Sequence, residues 1–145
     1  SSLSAILNYA DFLKRKSIVD VTILGICEKG DQKDIRLSGP LVLAEKLVSD
    51  NICVRLHDPY FTEEEIMDIL PGVGYTDLSQ TDFKTECIIL MTDHRMYRYF
   101  TQPDLDRITR HTRLIIDNPG MWEKFTFPSP LIYHIPGDGN LERLG

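Results

Sequence analysis

The chain has 145 residues, with 16 Lys+Arg against 22 Asp+Glu and a formal net charge of -6. Its apolar fraction of 42% and charged fraction of 26% are those of a globular domain, which excludes disordered and collagen-like chains, and the length suffices for one core without metal or disulfide staples. The acid excess argues against a grip on a nucleic-acid backbone, which needs a clustered basic face, and no apolar run approaches the ~18–20 residues that cross a bilayer.

Residues 2–16 are expected to be helical, because Leu3, Ile6, Leu7, Ala10 and Leu13 recur at helical spacing. Lys14, Arg15 and Lys16 suit the negative end of that helix. No apolar stretch follows a basic start there, so a secretory signal is not expected. Residues 19–27, VDVTILGIC, are β-branched and nearly all apolar, as in a strand buried on both faces. A polar turn over 28–37 follows. Ser38 is placed to cap a helix with Pro40 in its first turn, and Leu41, Ala44, Leu47 and Val48 form the expected buried stripe. Residues 52–57 read as the second strand, closed by Asp58-Pro59-Tyr60. Thr62 with Glu63, Glu64 and Glu65 opens a further helix that Pro71-Gly72 ends. Strands are expected over 87–91 and 114–116, with a short helix over 103–111 between them that turns Leu105 and Ile108 inward. Residues 131–135 read as a last, edge strand, and 136–140 as loop. Such alternation predicts a three-layer α-β-α domain with a mostly parallel sheet.

Cys27, Cys53 and Cys87 each lie in an apolar run, without a C-x-x-C pair or a histidine at ligand spacing. They are expected to be small buried hydrophobes in a reducing compartment. Cys27, at a strand end, is the candidate for a reactive thiol.

Open parallel sheets bind ligands beyond the carboxyl ends of their strands. That rule nominates Glu28, Lys29, Asp34 and Arg36, then Asp58, then Thr92, Asp93, His94 and Arg95, then Asp117 and Asn118. For Lys29 and Arg36 the competing reading is a solvated loop charge. For His94 and Arg95 a helix-capping or surface pair is the favoured reading, and His57 is expected to be structural. Gly25-x-x-x-x-Gly30 has the spacing of a phosphate loop, but Asp31-Gln32 stands where lysine and a hydroxyl residue belong. Gly72-x-Gly74 is no dinucleotide fingerprint either, and no G-x-S-x-G elbow occurs.

Three stretches carry a resemblance: residues 23–29 (ILGICEK), 33–38 (KDIRLS) and 54–60 (VRLHDPY). They resemble the C-terminal domain of the UDP-glucose/GDP-mannose dehydrogenase family, with its Leu-Gly-x-x-Phe-Lys strand end, Asp-Asp-x-Arg-x-Ser-Pro turn and Tyr-Asp-Pro strand end. Residues 88–94 and 114–117 look like its two later strands. The resemblance implies a Rossmann-like fold and a chain that is part of an NAD-dependent enzyme oxidising the C6 alcohol of a nucleotide sugar to a carboxylate. It implies Lys29 as a contact to the nucleotide sugar and Arg36 as a contact to NAD, with Asp34 orienting Arg36 or capping the turn. Arg95 or Lys124 would supply a further substrate cation, since Pro119 stands where the family's last strand is followed by arginine. Glu28 replaces an aromatic residue, Lys33 an acid and Gly39 a proline.

On that resemblance residues 1–18 would end a connecting helix and 19–145 would form the nucleotide-sugar-binding domain. The chain's partners would be the substrate and an N-terminal NAD-binding domain carrying the catalytic cysteine, in a cytoplasmic, homo-oligomeric enzyme of polysaccharide precursor synthesis. None of the three cysteines inherits the nucleophile's role, no residue here is assigned to catalysis and no metal is expected. The competing expectation, raised by Glu28, Gly39 and Pro119, is a degenerate Rossmann-like module for assembly or regulation.

Overall fold

The computed structural model describes residues 3–136; the tail from 137 to 145, part of which was read as loop, lies outside the described residues. Six strands form one sheet in the order β3-β2-β1-β4-β5-β6, and each neighbouring pair is parallel. The sheet is therefore parallel throughout, where a mostly parallel one was expected. The strands are β1 (Asp20–Leu24), β2 (Cys53–His57), β3 (Gly74–Tyr75), β4 (Cys87–Leu90), β5 (Leu114–Asp117) and β6 (Ile132–His134). The helices are α1 (Leu3–Arg15), α2 (Gly39–Ser49), α3 (Glu63–Ile69), α4 (Arg95–Arg98) and α5 (Gln102–Ile108).

Alternation along the strands divides the core into two layers. Val21, Ile23, Val54, Leu56, Ile89 and Ile116 face one side, with Ile6, Ala10 and Leu13 of α1, Leu43, Ala44 and Leu47 of α2, and Ile66 of α3. Leu24, Ile88, Leu90 and Ile115 face the other, with Tyr97 of α4, Leu105 and Ile108 of α5, and Trp122. The chain leaves β1 through helices on the first face and leaves β4 through helices on the second. The change of side falls between neighbours β1 and β4, where a crevice opens at the carboxyl ends.

Capping follows the sequence closely. Ser38 accepts from the Leu41 amide at 3.1 Å and donates to the Ile26 carbonyl at 2.5 Å. Thr62 and Thr101 each close a reciprocal capping box, with Glu65 and Asp104. Asp117 is fully buried and accepts from the amides of Gly120, Met121 and Trp122 and from the Tyr133 hydroxyl. It fastens the turn after β5 and the edge strand β6.

Several expectations are corrected. The first strand stops at Leu24 rather than 27, because Gly25 turns the chain at φ +93°. In α2, Leu43 joins Ala44 and Leu47 in the buried stripe, whereas Leu41 and Val48 are only partly buried. The helix expected over 103–111 spans Gln102–Ile108. Cys53 is exposed, since it opens β2 at the amino end of the sheet, while Cys27 and Cys87 are buried. Neither α4 nor β3 was expected.

Candidate functional site

The loop after β1 reaches across the crevice and is tied to the loop after β4. Gly30 donates its amide to Asp93 Oδ1 at 2.7 Å, and Asp31 donates its amide to His94 Nδ1 at 2.9 Å. Asp31 in turn accepts from the Arg95 amide at 2.9 Å and from Arg95 Nε at 3.1 Å. These bonds, those from the Arg95 amide foremost, hold the exposed Asp31 carboxyl below its ordinary range. The two glycines permit the crossing. A Cβ on Gly25 would lie 2.3 Å from Thr92 Cβ, and one on Gly30 would lie 2.4 Å from the Asp93 carbonyl oxygen. Their phosphate-loop spacing is thus accounted for by close packing of loop on loop.

Beneath the bridge lies a buried brace. Asp58 Oδ2 accepts from the Ile26 amide at 2.9 Å and pairs with His94 Nε2 at 2.8 Å, and Asp58 Oδ1 accepts from the Tyr60 amide at 2.9 Å. A backbone amide already donates to His94 Nδ1, so Nε2 carries the proton given to Asp58. His94 is fully buried and makes no side-chain cap. This corrects the expected capping or surface pair: one imidazole joins the loops after β1, β2 and β4. Cys27 completes a cluster with Asp58 and His94 whose donor atoms lie within 4.8 Å of one another. Each is already engaged: the Cys27 thiol faces the Gln32 carbonyl at 3.4 Å, and burial pushes that thiol up. A metal would have to displace the whole brace, and the thiol lacks the environment of a nucleophile.

The bridge leaves a cleft on either side. The first, about 450 Å³, lies beyond β1, β4 and β5 and is lined by Glu28, Lys29, Asp31, Asp93, Asn118 and Pro119, among others. Lys29 is the one cation among its described lining residues. Glu28 is turned partly away: its carboxylate accepts from the Gly39 amide at 2.5 Å, at the positive end of α2. A proline at 39 could not make that bond, so the two departures at 28 and 39 fit each other. Asn118 is held by the Tyr9 hydroxyl, which donates to its Oδ1, and it donates to the Leu90 carbonyl at 3.0 Å.

The second cleft, about 390 Å³, lies beyond β2 and β4, and Asp31, Pro59, Tyr60, Arg95 and Tyr99 line it. Lys29 and Arg95 therefore face different clefts, with Asp31 lining both. Arg36 lies on the exposed turn before α2, paired with Asp34: Nη2 to Oδ2 is 2.8 Å and Nε to Oδ1 is 3.0 Å. Asp34 also accepts from the Arg36 amide. The guanidinium hydrogen bonds foremost hold the Asp34 carboxyl at about 2. Lys124 lies over the Phe125 ring, its ammonium 5.1 Å from the centroid. Sequence reasoning did not foresee the bridge itself: His94 and Arg95 were nominated at a strand end, but Asp31 was read only as the residue that breaks the phosphate-loop pattern.

The cleft beyond β1 and β4 lies at the switch point of a doubly wound parallel sheet, where α/β domains of this class bind their ligands. Residues 22–124 match the UDP binding domain of the UDP-glucose/GDP-mannose dehydrogenase family, and the chain belongs to that family. It is 28% identical over 119 residues to a UDP-N-acetyl-D-mannosamine dehydrogenase of Methanococcus vannielii, covering 77% of this chain and 26% of that protein. Its fold is that of the UDP-N-acetyl-mannosamine dehydrogenase from Staphylococcus aureus (TM-score 0.65, 21% identity, 94% of this chain, 31% of that one). A UDP-glucose dehydrogenase from Pyrobaculum islandicum is similar too, with a TM-score of 0.62 and 20% identity over 90% of this chain and 29% of that one. The chain spans about a quarter of the length of the curated relatives it matches.

Proposed function

We propose that this chain is the nucleotide-sugar-binding domain of an NAD-dependent nucleotide-sugar 6-dehydrogenase. Residues 1–18 would end the connecting helix, and 19–145 would form the domain. The observation that carries the reading is the first cleft, where a flexible ammonium, Lys29, stands at the carboxyl ends of β1 and β4 within a chain of this family. Lys29 would contact the phosphates of the sugar nucleotide and Arg95 a second anionic or polar group. Arg36, 86% exposed and oriented by Asp34, would face NAD. Bound NAD would accept the hydride released from the sugar alcohol. The relatives named for UDP-N-acetyl-D-mannosamine favour that substrate over UDP-glucose and GDP-mannose. The whole enzyme is proposed to be a cytoplasmic homo-oligomer serving polysaccharide synthesis.

By itself the chain is proposed to bind and not to turn over. Cys27 and Cys87 are buried, with both thiols raised by burial, and Cys53 opens β2 at the far end of the sheet from the clefts. A second reading, a non-catalytic assembly or regulatory module, is favoured by one observation: three acids, Glu28, Asp31 and Asp93, line the first cleft against Lys29 alone. Calorimetric titration with UDP-N-acetylmannosamine, UDP-glucose and GDP-mannose separates the two. Heat with at least one supports the dehydrogenase domain, and no heat with any supports the module.

A further inference from the structure

Lys29 is a long, flexible side chain, so where its ammonium points depends on how firmly its backbone is held. Three consecutive residues of the loop after β4 hold that backbone on both sides. Thr92 Oγ1 donates to the Cys27 carbonyl at 2.6 Å, Asp93 Oδ1 accepts from the Gly30 amide, and His94 Nδ1 accepts from the Asp31 amide. The Gly30 bond to Asp93 is exposed, and water competes for it. Thr92 and His94 are buried. His94 alone among the three is braced from behind. Its Nε2 pairs with Asp58 Oδ2, and its ring lies 5.0 Å from that of Tyr60 and 5.8 Å from that of Tyr97. Asp58 is fixed in turn by the Ile26 amide. One imidazole thus carries the rigidity of the buried strand ends to the stretch just beyond Lys29. Both ring nitrogens are used, one as acceptor and one as donor, which fixes a single tautomer. His94 is fully buried and is not among the described lining residues of the first cleft, so its effect there passes through the loop.

We propose that His94 is a positioning residue for the first cleft: its Nδ1, by holding the Asp31 amide, keeps the Lys29 backbone in the arrangement that brings the ammonium to the cleft. The proposal rests on the reading of Lys29 given above and names what orders that site. A loop ordered in advance leaves less conformational entropy to be lost on binding. Two replacements separate the ring nitrogens. His94→Asn keeps an acceptor close to the place of Nδ1 and loses the donor to Asp58. His94→Gln keeps a donor close to the place of Nε2 and loses the acceptor for Asp31. The test is calorimetric titration of UDP-N-acetylmannosamine into wild type, Lys29→Ala and both variants, with urea unfolding of each. His94→Gln should bind at least about tenfold more weakly than wild type, and His94→Asn within about threefold of it. His94→Asn should nevertheless be the less stable of the two, because it leaves the buried Asp58 carboxylate short of a partner. Affinity and stability then rank the variants in opposite orders, which a merely structural role does not do. Equal affinity of wild type and His94→Gln would overturn the proposal alone, as would affinities that follow stability. No heat with wild type, or unchanged binding in Lys29→Ala, would overturn the reading of the cleft and this proposal with it. Nitrogen shifts of the His94 ring in the isotope-labelled wild type need no variant: the proton should sit on Nε2, and a proton on Nδ1 would overturn the proposal.

Discussion

Gly25 lets the loop after β1 pass within contact of Thr92, and its φ of +93° is open to few other residues. Gly25→Ala should therefore cost more than about 2 kcal/mol, read as a lowered urea midpoint with an unchanged slope. His57 offers a second test at this scale. Burial foremost pushes its imidazole down to about 4, and its Nδ1 lies 2.9 Å from the Tyr97 hydroxyl. The unfolded chain takes up this proton near 6.5, so between about pH 6.5 and 4 it binds more protons than the folded one. Stability should be whole above that window and fall by on the order of 3 kcal/mol as pH drops through it. In His57→Gln that part of the pH dependence should vanish from urea unfolding, and an unchanged slope against pH would contradict the assignment. At this scale the sequence is least legible. His94 stands among charged residues and reads as surface, yet it is buried because its partners, Asp31 and Asp58, come from two distant loops.

Among the elements, β1, β4 and β5 were legible because nearly continuous apolar runs buried on both faces leave little choice of structure, while β2, with Arg55 half-buried, was marked mainly by the Asp58-Pro59 that closes it. Capping boxes at Thr62 and Thr101 fix where α3 and α5 begin, though the box at Thr101 was not read in advance. The four-residue α4 and two-residue β3 are shorter than any periodic signal and exist through tertiary support. Tyr97 anchors α4 in the core, and β3 is held by its register with Arg55 and Leu56. Glu28 and Gly39 form a pair that only the folded loop brings together. Glu28→Gln should cost about 1 kcal/mol through the start of α2. The same change in a Gly39→Pro background should cost less, because the amide is gone. A double-mutant cycle by denaturant unfolding measures this, and additive costs would show that the two positions are independent.

For the whole molecule, the net charge of -6 argues against a nucleic-acid surface, and among the described residues lining the first cleft Lys29 is the one ammonium, set among acids. That setting sets the sign of a further prediction. Asp93→Asn keeps an oxygen for the Gly30 amide and removes one negative charge beside Lys29, so affinity for a nucleotide sugar should rise about two- to fivefold. Calorimetry at low and high salt reads this, and the gain should shrink as salt rises. The most direct test of the central claim is calorimetric titration of UDP-N-acetylmannosamine into wild type and Lys29→Ala. The account predicts saturable heat in the wild type and at least about tenfold weaker binding in the variant. Equal binding in both, or no heat in either, would contradict it.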